Sequence, residues 1–173
     1  MKTKFIFGAA LGALLAAGCD STSEKIYFTS EAKMPAAMAE AAATARGLTK
    51  ADEEQIDLVV LGYLLDRHFW EGGNYTALFL QADDTVVAAM MQKYPDHNPP
   101  IKESYHIDLR SNQSPLDRDT GKPVMILGAD VSDPDADGSV AVIGRWYAGG
   151  AVQGFYTFNL KKTGDAWTIA SVK

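Results

Sequence analysis

The sequence predicts an α+β domain in which N-terminal helices pack on a curved antiparallel sheet that ends in a C-terminal β-meander. Two observations carry this. Apolar residues recur at helical spacing in the first half of the chain, then switch to the period of two expected of half-buried strands. The later strand candidates are separated by connections so short that consecutive strands must lie antiparallel. Helices followed by a run of consecutive strands define the class.

The elements follow in order. Pro35 suits the first position of a helix, and the alanine-rich run from it to Arg46, closed by Gly47, reads as a short helix with little to bury. Thr49 and Asp52 form a capping pair for a longer helix. In that helix Ile56, Val59, Val60, Tyr63 and Leu64 share one face, and Glu53, Glu54, Asp57 and Arg67 fall mostly away from it. Gly72 and Gly73 stop whatever follows. Residues 75–81 form a compact apolar strand, and Asp83 or Asp84 caps a second helix that runs to Tyr94 before Pro95, with Val86, Val87, Met90 and Tyr94 facing the core. Tyr105, Ile107 and Leu109 then alternate with His106, Asp108 and Arg110. Further strands are expected at 124–131, 140–147, 152–160 and 167–172, separated by Asp-Gly, Gly-Gly and Thr-Gly-Asp turns.

At the N-terminus, Lys2 and Lys4 precede an uncharged apolar run from Phe5 to Ala17. The run falls short of the ~20 residues of a permanent membrane span. A charged start, a short apolar middle and small residues before a cut make a secretory signal. Leu15-Ala16-Ala17-Gly18-Cys19 resembles the lipobox of bacterial lipoproteins, with alanine in place of the commoner leucine three residues before the cysteine. The resemblance implies a diacylglycerol on the Cys19 thiol, cleavage before Cys19, and a further acyl chain, such as palmitate, on the freed amine. Cys19 is the single cysteine in the chain, so no intramolecular disulfide is available and lipid would consume an otherwise exposed thiol. Asp20 resembles the signal that retains enteric lipoproteins at the inner membrane, facing the periplasm, and the outer membrane stays open as the alternative. The expected organisation is a signal over 1–18, a lipidated tether over 19–34 and one α+β domain over 35–173.

Removing 1–18 takes away two lysines and no acid, so the net charge of −6 becomes −8. Such a surface repels phosphate backbones, and no basic stripe with interleaved aromatics offsets it, which argues against nucleic acid as a partner. The sequence contains no Gly-x-Ser-x-Gly elbow, phosphate loop, dinucleotide fingerprint or paired metal histidines.

Three constellations remain as candidates. Asp133-Pro134-Asp135-Ala136-Asp137-Gly138 resembles the opening of an EF-hand calcium loop, whose alternate carboxylates converge on one ion. Gly144 stands where the bidentate glutamate belongs, and the alternative is an acidic hairpin turn. His106 and Asp108 share a strand face, either as an oriented base in a pocket or as a polar outer face opposite buried neighbours. Trp146, Tyr147, Phe155 and Tyr156 cluster late; aromatics usually fill cores, but alternation sends some to the other face, where they would mark a binding surface.

The stretch from Arg145 to Leu160, then Gly164-Asp165-Ala166-Trp167-Thr168-Ile169, resembles the closing hairpins of the cone-shaped fold of nuclear transport factor two-like domains. The likeness covers about the last third of the chain and carries no function. The expectation drawn from size, anchoring, acidity and absent motifs is a membrane-anchored, non-catalytic binding module for a protein partner, of immunity or inhibitor type, with no cofactor other than a candidate calcium. The alternative is a small-ligand or enzymatic cone domain with a pocket around His106 and Asp108.

Overall fold

A computed structural model describes residues 47–103, 107–108, 114–149 and 152–173. The first helix, α1 (Lys50–Leu65), begins where the capping pair places it. The Asp52 backbone N–H donates to Thr49 Oγ1 at 3.1 Å, and the Asp52 carboxylate accepts from the Thr49 backbone N–H at 3.1 Å and its hydroxyl at 2.7 Å. This satisfies donors that a helix start otherwise leaves orphaned. Ile56, Val60, Leu61, Leu64 and Leu65 are buried along α1. The alanine-rich helix expected over 35–46 lies outside the described residues, as does Cys19.

After α1 come β1 (Leu78–Gln81), α2 (Asp84–Lys93) and β2 (Ile101–Glu103). Val86, Val87 and Met90 are buried on α2, and half-buried Tyr94 packs against the same core. A two-stranded ladder of β3 (Ile107–Asp108) and β4 (Leu116–Asp117) precedes β5 (Met125–Pro134), β6 (Val140–Tyr147), β7 (Gln153–Thr163) and β8 (Ala166–Val172). The main sheet has six strands in the order β2-β1-β5-β6-β7-β8.

From β5 to β8 every pairing is antiparallel, the meander that short connections require. The other half corrects the expectation of a purely antiparallel sheet. β1 lies between β2 and β5 and is parallel to both. Helix α2 supplies the crossover that a parallel β1–β2 pair needs. A strand flanked on both sides and covered on both faces should be an unbroken apolar run, and Leu78, Phe79 and Leu80 are each fully buried.

Helix α1 packs across one face of the sheet, against β5, β6 and β8, over a core that includes Leu127, Val142, Phe158 and Leu160. Among the described residues the opposite face is covered at one end. Phe79 and Lys102 are in register there, and Lys102 Nζ donates to the buried Asp117 carboxylate at 2.7 Å, which brings β4 over β2. Phe79 and Ile126 are buried in this region. Towards β6 and β7 that face opens to solvent.

Candidate functional site

Alternation along β6 and β7, with the register Gly144↔Tyr156 and Trp146↔Gly154, divides the late aromatics between two faces. Trp146 and Tyr156 point to the helical side. Trp146 stacks on Phe69 with ring centroids 4.0 Å apart, and Tyr156 meets Tyr63 edge-on at 6.1 Å. Trp146 also lies over Gly154, where a Cβ would come within 2.3 Å of its ring. Tyr147 and Phe155 point the other way. The four residues therefore share no common surface. Tyr147 is half-buried, whereas Phe155 is 59% exposed, beside Ile143 at 42%. Arg145, cross-strand from Phe155, forms an ion pair with Asp130 and donates from Nη2 to Gln81 Oε1 at 3.1 Å. An apolar pair thus stands next to fixed charges on an open sheet face.

The acidic loop is the β5–β6 hairpin turn, with Gly138 at φ 76° and its N–H donating to the Asp135 carbonyl at 2.9 Å. Its carboxylates have internal partners. Asp137 Oδ1 accepts from the Ser139 backbone N–H at 3.0 Å and its hydroxyl at 2.7 Å, and Oδ2 accepts from Lys161 Nζ at 3.0 Å. The Ser139 hydroxyl also lies 3.3 Å from Asp135 Oδ2. The bonds from Ser139, then Lys161, hold the Asp137 carboxyl well below the usual carboxylate range. Asp133 sits at the end of β5. Among the described residues no group of three or more His, Cys, Asp or Glu side chains is placed to hold a metal ion.

Of the acid–base pair, Asp108 is half-buried in β3, paired across to Leu116, and His106 lies outside the described residues. A different carboxylate has a raised proton affinity. Asp57 lines an open cleft of about 280 Å³ with Glu53 and with Ala129, Asp130 and Val131 of β5. Burial, then the charges of Glu53, Asp83 and Glu54, push its carboxyl up to about 7. A carboxyl that exchanges its proton near neutral pH is the type of group found at functional sites. The sequence signal was the spacing: Glu53 and Glu54 stand four and three residues before Asp57, where like charges on a helix repel.

A raised carboxyl makes the folded state bind more protons than the unfolded one between its ordinary value of 3.8 and about 7, so stability falls as pH rises through that window. Each tenfold change in proton affinity is worth about 1.4 kcal/mol. With screening by the solvent that enters the cleft, we expect Asp57→Asn to stabilise the domain by about 2 kcal/mol at pH 8 and by little at pH 5. Urea unfolding at the two pH values measures this, and equal offsets at both would contradict it.

No protein-family model, curated protein or solved structure matches the chain.

Proposed function

We propose that the chain is a bacterial lipoprotein anchored through Cys19, facing the periplasm, whose α+β domain is a non-catalytic protein-binding module of immunity or inhibitor type. The contact surface is the open face of β6 and β7. The observation that carries this reading is the exposure of Phe155 and Ile143 on regular strands, 59% and 42%, beside the Arg145–Asp130 ion pair. Binding energy concentrates in aromatic anchors on rigid frames with a polar surround. The signal-like N-terminus, the lipobox-like segment and the acidity of the mature chain support the compartment and the anchor. Asp20 favours the inner membrane. The hairpins of β6, β7 and β8 are read as akin to the closing hairpins of nuclear transport factor two-like cones, a likeness of architecture alone.

The test uses the full chain in living cells with a photo-reactive amino acid at Phe155, at Ile143, or at Gln92, an exposed position on α2. A discrete adduct with one envelope protein is expected from the first two positions and not from the third, and Cys19→Ser should release the processed chain from the membrane fraction. Adducts equally abundant at Gln92, or full membrane retention of Cys19→Ser, would overturn the reading.

A second reading, a small-ligand or catalytic domain, is favoured by Asp57 alone. It requires Asp57→Asn to abolish the cellular phenotype at unchanged protein abundance.

A further inference from the structure

Gly62 stands inside α1, where glycine is the poorest helix former after proline. Packing does not demand it. A Cβ at this position would meet Tyr94 Oη at 3.7 Å and Lys93 Nζ at 3.8 Å, which are ordinary contact distances, and its φ is not positive. The other use of glycine is to let a bound group come close to the backbone.

The surroundings of Gly62 define the chemistry of such a group. It lines a cleft of about 340 Å³ between α1, the end of α2 and β8, within the range of ~300–1,000 Å³ of small-ligand sites. Leu58, Val59 and Ile169 supply apolar wall. Lys93 Nζ and Tyr94 Oη lie over the glycine, with Nζ 5.1 Å from the Tyr94 ring centroid. Among the described residues neither atom has a hydrogen-bond acceptor. Asp66, one turn beyond Gly62 and exposed, lines the same cleft. We propose that this cleft binds a free α-amino acid with an apolar side chain.

Its carboxylate accepts from Lys93 and Tyr94, its ammonium faces Asp66, and its side chain rests on Leu58, Val59 and Ile169. The two charges of such a ligand are separated by a single carbon, which suits donors over Gly62 and a carboxylate one turn, ~6 Å, along the same helix. Single-charge ligands fit less well. A bare anion is repelled by Asp66 and by the net charge of −6, and a bare amine leaves the Lys93 and Tyr94 donors unanswered. A hydrogen bond from Tyr94 adds direction to the point charge of Lys93. The cleft lies on the helical side of the sheet, opposite Phe155 and Ile143, and the inference does not depend on the proposed function.

The experiment titrates the full chain, purified in mild detergent, with L-leucine and L-phenylalanine by calorimetry, and with isocaproate and isoamylamine, which each lack one charge. At least one of the two amino acids is expected to bind saturably, one per chain. The single-charge probes should bind about tenfold more weakly, the factor that a lost hydrogen bond to a charged group carries. Lys93→Gln and Asp66→Asn, both at exposed positions, should each weaken amino-acid binding by about the same factor. Gly62→Ala separates a ligand site from a packing defect. Its methyl meets no close neighbour and favours the helix, so the unliganded variant should melt no lower than the parent, yet it fills the floor and should weaken binding about tenfold or more. The absence of saturable binding by both amino acids would overturn the proposal. So would isocaproate binding as tightly as leucine, or parental affinity in Gly62→Ala.

Discussion

Replacing Asp52 with alanine is expected to destabilise the domain by about 3 kcal/mol, because one carboxylate holds three elements together. Asp52 is 8% exposed. Oδ2 closes the capping box with Thr49, while Oδ1 accepts from Lys162 Nζ at 2.7 Å and from Trp167 Nε1 at 2.9 Å. These bonds tie the start of α1 to β7 and β8. Alanine removes the cap, worth about 1 kcal/mol, and strands the buried Trp167 N–H, which costs about 1–3 kcal/mol more. Asparagine keeps an acceptor and should cost roughly half as much. Lys162, opposed by burial and assisted by Thr49 and Trp167, holds the Asp52 carboxyl well below its ordinary value of 3.8. The sign follows: the stabilisation is present above 3.8 and is lost as pH falls below it towards the folded-state value. Urea unfolding should therefore show the wild-type advantage over Asp52→Ala shrinking between pH 7 and pH 3. An advantage under about 0.5 kcal/mol at pH 7 would sink the account.

Local chemistry made much of this fold legible. Thr49 and Asp52 announce the start of α1 three residues apart, Asp83 and Pro95 bracket α2, and the Asp-Gly and Thr-Gly-Asp turns mark the hairpins of β5 through β8. What stayed hidden depends on contacts between distant residues. β1 reads as a strand, but its parallel place between β2 and β5 is set by the α2 crossover and by burial on both faces. Ile101-Lys102-Glu103 is too short for alternation to register, and Leu116-Asp117 shorter still. Asp52 reads as a cap, but its bonds to Lys162 and Trp167 span 110 and 115 residues.

The candidate site was legible in part. Parity alone places Trp146 opposite Tyr147 and Phe155 opposite Tyr156; which parity meets the helix is decided by packing, at Gly144. Asp57 shows its acidic neighbours in the sequence, but the burial that raises it depends on α1 seating against Ala129 and Val131.

Gly144 is where that seating is set, and substituting it should be a costly small-to-large change. It is buried in β6 with its Cα facing α1. A Cβ there would come within 2.6 Å of a Phe158 ring carbon, 2.8 Å of Val60 Cγ1 and 3.4 Å of Leu64 Cδ1. Its φ is not positive, so contact and not backbone strain sets the cost. Neither neighbour yields readily: Phe158 and Val60 are fully buried, and Phe158 is held edge-on by Tyr63 at 5.0 Å. Overpacking of this kind costs about 1–3 kcal/mol. We expect about 2 kcal/mol for Gly144→Ala and more, about 4 kcal/mol, for Gly144→Val, whose branched side chain has nowhere to turn. Gly128 is the internal control, since the nearest atoms to a Cβ there, on Gln81 and Arg145, lie at 3.4 Å or more, so Gly128→Ala should cost under 1 kcal/mol. Val60→Ala should restore part of what Gly144→Ala loses, because the two changes share one contact and are not additive. Equal costs at Gly128 and Gly144, or strict additivity with Val60→Ala, would mean that α1 does not rest on this glycine. If it does, lifting the helix in Gly144→Val also opens the cleft, and the Asp57 carboxyl should titrate closer to its ordinary value of 3.8 than to about 7.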